Sequence, residues 1–591
     1  MSDGVAPHST LAAARAWIAQ DPDETTRAEL QKLVDAAGDD VATVAADDAG
    51  GAGEHAAHAA RELAARFDGR LEFGTAGLRG ELGAGPQRMN RVLVAQAAAG
   101  LASFLLARES HPTIVVGFDG RHNSEVFARD TVELMQGAGV DARLMPRRLP
   151  TPVLAFAVRR LDASAGVMVT ASHNPARDNG YKVYLGGADA GSQIVSPSDG
   201  EIQAEILRVA AGSIADLPRS DAWQLVDESV VDEYVSTTAA VASDAARPIP
   251  FVYTAMHGVG YETAARVFAA AGFGEPVVVA EQRDPDPDFP TVPFPNPEEE
   301  GAMDLSFALA ARSGVKLIIA NDPDADRLAV GIPDASTTEG WRRLTGNEVG
   351  LLLGDRAARL AVAAVADAAD ADASGPDATP RPIGTLACSL VSSPGLGAIA
   401  RAAGLDHAET LTGFKWISRA PELAFGFEEA LGYLVNPGSI RDKDGISAAV
   451  ALLDLAAGLD AEGRTIADAL DDLAERVGGY ASGQISIRVA ELADIPRMAG
   501  ALRAAPPTSI GGVAVVSAED FLEGVGDYPK GDILRYRLEG DGRVIVRPSG
   551  TEPKLKVYID AASTTGPGAE RLAAARELVA RLDTGMRELL S

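Results

Sequence analysis

The chain has 591 residues, 46% of them hydrophobic, and a formal net charge of −31. That length exceeds what one core can serve and sets an expectation of about four domains. The acidic balance argues against a nucleic-acid partner, which would demand clustered Lys and Arg. With no apolar run of about 18 residues, no membrane span is expected. Met1-Ser2-Asp3-Gly4-Val5 lacks the basic and apolar regions of a signal peptide. The single cysteine, Cys388, lies in an apolar run and reads as a buried strand thiol, so no intrachain disulfide can form. The expected setting is cytoplasmic.

Residues 9–36 read as two helices, with Ser9 and Thr10 as candidate caps of the first and Asp21-Pro22-Asp23-Glu24 as the break between them. Residues 37–60, rich in Ala, Asp and Gly, read as a solvated connector or loose helix. Residues 1–70 thus form a helical extension, expected to pack on the first α/β unit. From Leu71 strands and helices alternate. Thr113–Phe118 is a buried-strand run, 124–138 a helix, and Ala165–Thr170 and Val315–Ala320 further strands. Breaks near 215–228, 334–345 and 461–480 separate α/β units at 71–215, 229–335 and 345–460. A different last unit, 481–591, is richer in strand signals and closes with a helix at 568–590. Ala363 to Pro382 reads as a surface insertion.

Two strands deliver chemistry to the loops beyond their carboxyl ends, where α/β sheets collect ligands. The first leads into Thr170-Ala171-Ser172-His173-Asn174-Pro175 and the second into Asn321-Asp322-Pro323-Asp324-Ala325-Asp326-Arg327. In an extended segment Asp322, Asp324 and Asp326 point the same way and can converge on one hard cation, for which Mg²⁺ is suited. An EF-hand is excluded, because its sixth and twelfth positions hold Arg327 and Pro333. Ser172 fits a phosphoryl carrier. The rival reading, a Ser–His hydrolase nucleophile, is disfavoured because adjacent residues rarely form that hydrogen bond and no Gly-x-Ser-x-Gly elbow is present.

Further on, Arg547-Pro548-Ser549-Gly550-Thr551-Glu552-Pro553-Lys554 offers backbone N–H groups, hydroxyls and a guanidinium for a phosphate. It lacks the Walker pattern, so no nucleotide is implied. Gly426-Phe427-Glu428-Glu429-Ala430-Leu431-Gly432 sets paired carboxylates between glycines, suited to sugar hydroxyls or equally to a helix face. Lys443, flanked by Asp442 and Asp444, should have a raised pKa. His257-Gly258-Val259-Gly260 after a strand imitates a dinucleotide fingerprint, but Thr263 stands at the third glycine position.

Together these motifs resemble the α-D-phosphohexomutase superfamily, from about Leu71 to the C-terminus. Phe73-Gly74-Thr75-Ala76-Gly77-Leu78-Arg79-Gly80, Leu411-Thr412-Gly413-Phe414-Lys415-Trp416 and Phe427-Glu428-Glu429-Ala430 are most similar to the phosphoglucomutase-2 and phosphopentomutase branch. The resemblance implies an α/β fold of four domains: three similar α/β/α units plus a C-terminal α+β phosphate-binding domain around a central cleft. It implies a phosphoserine at Ser172, with one Mg²⁺ held by that phosphate and by Asp322, Asp324 and Asp326. Arg327 would contact the phosphoryl group, and Arg79 and Lys182 would line the site. His173 and Lys443 would be acid/base groups. Thr412 and Glu428 would recognise the sugar, and Arg547, Ser549, Gly550 and Thr551 would clamp the distal phosphate. The family's usual Glu-x-Ser departs to Ala430 here, which leaves glucose, mannose and pentose selectivity open.

The expected activity is transfer of a phosphoryl group between C1 and C6 of a hexose phosphate, with a sugar 1,6-bisphosphate as intermediate and activator. The same mechanism on ribose or deoxyribose phosphate is the alternative. A metal-dependent sugar-phosphate phosphatase and a non-enzymatic sugar-phosphate sensor are the rivals from other classes. Small-molecule sugar phosphates are the expected partners.

Overall fold

A computed structural model describes residues 7–38, 50–75, 77–243, 247–371, 384–489, 494–526, 528, 530–548 and 554–590. The chain divides into two compact units, one of residues 1–240, 250–328 and 438–446, the other of 241–249, 329–437 and 447–591.

The first unit opens with helices Pro7–Gln20, Glu24–Ala37 and Gly50–Phe67. Asp23 caps the second, accepting from the Thr25 N–H at 2.8 Å. Ser9 and Thr10 are not caps as expected, because the first helix already begins at Pro7. The helix Gly50–Phe67 covers much of the expected connector, and 39–49 lie outside the described residues. Leu11, Trp17, Leu30, Val34 and Leu63 share one apolar cluster with Val92, Leu101 and Val116 of the first α/β layer. The extension is therefore part of that core.

The first sheet contains β1 (Leu78–Glu81), β2 (Thr113–Phe118), β3 (Asp141–Leu144), β4 (Ala165–Val169), β5 (Asp178–Leu185), β6 (Ser192–Gln193) and β7 (Gln224–Leu225). The order is β1-β5-β4-β2-β3-β7, with β6 on β5. β4, β2, β3 and β7 are parallel, while β5 is antiparallel to both β4 and β1. The buried apolar runs of β2 and β4 are those of strands covered on both faces. Helix Ser124–Ala138 occupies the predicted span. In the second sheet, β8 (Val252–Thr254) lies parallel between β9 (Val277–Val278) and β10 (Ile318–Ala320).

In the second unit β11 (Ala329–Pro333) and β12 (Trp341–Arg343) form an antiparallel pair. Helix Gly346–Ala371 runs into the expected insertion, whose residues 372–382 lie outside the described set. β13 (Thr385–Ser389) carries the buried Cys388 between parallel β14 (Asp406–Thr410) and β15 (Leu423–Glu428). β16 (Gly432–Leu434) folds back antiparallel on β15. The expected break at 461–480 holds a helix, Ile466–Val477, nucleated by a Thr465–Asp468 capping box. The C-terminal sheet is antiparallel throughout. It comprises β17 (Gly479–Arg488), β18 (Ser509–Ile510), β19 (Val513–Asp520), β20 (Leu534–Leu538), β21 (Arg543–Pro548) and β22 (Lys554–Ser563), ordered β17-β22-β21-β20-β19-β18. Helix Gly568–Leu590 closes the chain. Among the described residues no helix is long and apolar enough to cross a membrane.

Candidate active site

β4 delivers a buried serine. Ser172 sits in the left-handed region at φ 54°, a conformation that costs a non-glycine residue about 1–3 kcal/mol and persists only where its surroundings enforce it. Its N–H donates to Thr170 Oγ1 at 2.8 Å and its Oγ donates to Asp322 Oδ2 at 2.9 Å. Ser172 Oγ also lies 3.2 Å from His173 Nδ1. The expectation that these neighbours would not meet is corrected: the left-handed turn reverses the chain and brings the two side chains into reach.

Arg121, beyond β2, supplies the enforcement. Its guanidinium donates to the carbonyls of Ser172 at 2.6 Å, Asn174 at 2.5 Å, Pro175 at 2.8 Å and Asp178 at 3.1 Å. Asp119 lies 3.5 Å from its Nε, and Phe289 lies under its face at 4.9 Å.

The aspartate loop is a turn, not the extended segment expected. Ala325 takes φ 54°, and its N–H donates to the Asp322 carbonyl at 2.8 Å. The carboxylates converge because the backbone curls, and each offers an oxygen within 4.8 Å of the others. Gly258 packs against this loop: a Cβ there would stand 2.2 Å from Pro323 Cα, and the Val259 N–H donates to the Pro323 carbonyl at 2.9 Å. The Gly-x-Gly that imitates a nucleotide fingerprint is thus a close-approach site for the acidic loop. Thr151, at a helix start, donates its Oγ1 to Asp324 Oδ2 at 2.7 Å.

Cations meet the triad from three elements. On β5, Lys182 Nζ donates to Asp324 Oδ2 at 2.7 Å and Asp326 Oδ2 at 2.9 Å. Lys443 Nζ lies 2.9 Å from Asp326 Oδ2. Arg327 Nε lies 3.9 Å from Asp322 Oδ2, and Glu298 is 3.9 Å from its Nη1. Arg79, half-buried on β1, donates to Asn174 Oδ1 at 3.2 Å. Burial would raise the Asp326 carboxyl, but Lys182, Lys443 and Arg327 hold it below the ordinary range. Burial beside Asp324 and Asp326 pushes Asp322 well up. Burial opposes the charge on Lys443, yet Asp326 and Asp442 keep its pKa raised, as expected. Burial, then the Arg327 and Arg79 cations, push His173 well below the usual histidine value, so its ring is neutral.

These residues fit a hard dication. Asp324 Oδ1 and Asp326 Oδ1 are buried with no hydrogen-bond partner. Oxygens bound to Mg²⁺ at about 2.1 Å stand about 3–4 Å apart, within the spread of the triad. A dication also relieves the repulsion that raises Asp322.

The second unit holds the remaining expected residues. Glu428 ends β15, and its Oε1 accepts from the Gly413 N–H at 3.0 Å, next to Thr412. The motif is a hairpin turn between β15 and β16, not a helix face. Glu429 Oε2 accepts from Ser389 Oγ at 3.1 Å and Ser392 Oγ at 3.0 Å. Arg547 lies on β21 opposite Lys556. Ser549, Gly550 and Thr551 lie outside the described residues.

Arg121, Thr151 and Ser392 escaped the sequence reading. The only local signal was for Arg121, which with Asp119 places two charges directly after a buried strand.

Family models describing phosphoglucomutase/phosphomannomutase α/β/α domains I, II and III match residues 70–211, 232–335 and 360–477, and the model of the C-terminal domain matches 485–577. A probable phosphomannomutase of Haemophilus influenzae is 52% identical over 502 residues, 85% of this chain and 98% of that protein. A probable phosphoribomutase of Schizosaccharomyces pombe is 34% identical, covering 92% of each chain. The crystal structure of a putative phosphomannomutase from Thermus thermophilus shares the fold, with a TM-score of 0.64 and 22% identity over 88% of this chain and 98% of that one.

Proposed function

The chain belongs to the phosphoglucomutase/phosphomannomutase family and is an intramolecular phosphotransferase of four domains, three α/β/α and one C-terminal. On that premise we propose that it moves a phosphoryl group between C1 and C6 of a hexose phosphate, glucose or mannose, through phospho-Ser172 and a sugar bisphosphate. The observation that carries this reading is Ser172 Oγ directed at Asp322, 2.9 Å away, within a buried triad matched by lysines.

Asp322, Asp324 and Asp326 would hold one Mg²⁺, which when bound neutralises charge on the transferring group. The chain's own residues do the rest. The free hydroxyl of the sugar phosphate attacks the phosphorus of phospho-Ser172; the new O–P bond forms as the serine Oγ–P bond breaks. One of His173 and Lys443 takes the hydroxyl's proton, and the other returns one to Oγ, a contribution of about 10²–10⁴-fold for such groups. Arg327 and Arg79 face the phosphoryl group, and Lys182 holds Asp324 and Asp326 in place. The bisphosphate then turns and gives its other phosphoryl group back to Ser172. Thr412 and Glu428 recognise the sugar in both orientations, while Arg547, Ser549, Gly550 and Thr551 hold the phosphate not being transferred.

The pentose reading has its own support in the 34%-identical relatives, which include a mouse phosphopentomutase. Turnover of glucose 1-phosphate, mannose 1-phosphate and ribose 1-phosphate, measured side by side with Mg²⁺ and trace bisphosphate, decides between them. Ser172→Ala should lower mutase turnover by at least about 10³-fold with an unchanged melting temperature. Near-normal activity in that variant would sink the mechanism.

A further inference from the structure

In the second unit, Leu390, Val391 and Leu411, from the region matching domain III, pack against Phe521, Ile533, Ile545 and Tyr558 of the region matching the C-terminal domain. Beside this apolar seam lies a buried guanidinium. Arg543, 5% exposed, donates Nη1 to Glu409 Oε1 and Nε to Asp560 Oδ2, both at 2.7 Å, and Nη2 to the Ser392 carbonyl. Glu409 also accepts from the Tyr528 hydroxyl at 3.2 Å, and Asp560 from Ser482 at 2.6 Å.

The contacts continue to both predicted recognition elements. Ser392 Oγ donates to Glu429 Oε2 and accepts the Glu429 N–H, each at 3.0 Å. Glu429 directly follows Glu428. Arg543 stands at the start of β21, the strand that carries Arg547. Tyr558 forms a second link. It is 5% exposed and pairs with Ile545 on β21, which puts it on the same sheet face as Arg547, two residues on; burial first, then the Glu429 and Glu428 carboxylates, raise its pKa against the Arg547 cation. Buried ion networks seldom add net stability over an apolar packing, and their best-attested use is to fix one arrangement.

We propose that Tyr558 and Arg543 are positioning residues that set the spacing between Glu428 and Arg547, so that this seam measures the length of the sugar phosphate. The inference deepens the proposed function and rests on it. A hexose 6-phosphate is longer than a pentose 5-phosphate by one carbon, about 1.5 Å. A misplacement of about 1 Å costs about 10²-fold in a reaction that depends on positioning. A stiff joint turns that difference into selectivity; a loose one averages it away.

The test compares kcat and KM for glucose 1-phosphate and ribose 1-phosphate in the full-length protein and in Tyr558→Phe, Arg543→Lys and Glu409→Gln. Tyr558→Phe removes one hydroxyl and keeps the ring in its seam, so it preserves a folded protein should the ion-network variants fail to fold. The expected result is that the ratio of kcat/KM between the two sugars narrows by about tenfold, with the favoured sugar losing most. Equal losses on both sugars, or an unchanged ratio, would show that the residues support the fold alone and would overturn the inference. A parent protein inactive on every sugar phosphate would overturn the underlying reading, and this inference with it.

Discussion

Replacing Arg121 by Lys tests whether the strained turn at Ser172 is held from outside. The arginine reaches four carbonyls spread over residues 172–178. Lysine is shorter and offers three donors from one point, so it loses two or three of those bonds while keeping a cation beside the buried Asp119. At about 1 kcal/mol net per bond, the loss is about 2–3 kcal/mol. That sum is comparable to the cost of the left-handed serine, so the loop should leave its active geometry much of the time. Converted to rate, it predicts a fall in kcat of about 30–150-fold, with KM changed less than about threefold. Steady-state kinetics give both numbers, and far-ultraviolet circular dichroism checks the fold. A kcat within about threefold of the parent would refute the idea that Arg121 enforces the turn.

Gly258→Ala places a methyl 2.2 Å from Pro323 Cα and should displace the aspartate loop; Mg²⁺ titration should show at least about tenfold weaker binding, while unaltered binding would remove the packing role. Trp17→Ala, at an 8%-exposed side chain packed edge-on to Phe67, should cost about 3–5 kcal/mol in denaturant unfolding of the first unit if the N-terminal helices belong to its core. His407 has its pKa lowered, by burial first and by Arg401 and Arg543 against the opposing Glu409. The unfolded chain therefore takes up that proton first, and its contribution, present above the ordinary histidine value, is lost as pH falls through the histidine range. The melting temperature should drop over that range, and His407→Asn should flatten the drop.

The residues readable from sequence were those whose meaning is local. The helix at 124–138 and the strand before Ser172 follow from periodicity, and the acidic loop announces itself by composition. What the sequence reading missed comes from long-range closure. Thr151 meets Asp324 across 173 residues of chain, and Arg121 meets the Ser172 carbonyl across 51; no window on the sequence contains such pairs. The aspartates were grouped correctly for a reason that proved wrong: a curled backbone, not strand alternation, gathers them. Gly258 imitates a nucleotide signal because close backbone approach leaves the same mark in sequence whether the neighbour is a ligand or another loop. The serine–histidine contact was discounted because local reasoning assumed ordinary backbone angles at Ser172.

The segment 438–446 belongs to the first unit although the chain on either side of it builds the second. The Tyr184 hydroxyl, buried, donates to Asp442 at 2.9 Å, and that of Tyr234 donates to Asp444 at 3.1 Å. On a ribosome adding about 5–20 residues per second, the stretch from 328 to 438 takes about 5–20 s to appear. Throughout that interval the nascent first unit has the serine and all three aspartates but lacks Lys443 and the acceptors for both phenols. Lys443, which pairs with Asp326 at 2.9 Å, therefore joins the first unit only when about three quarters of the chain has been made, and a product truncated before residue 438 would carry the serine and the acidic loop without that cation.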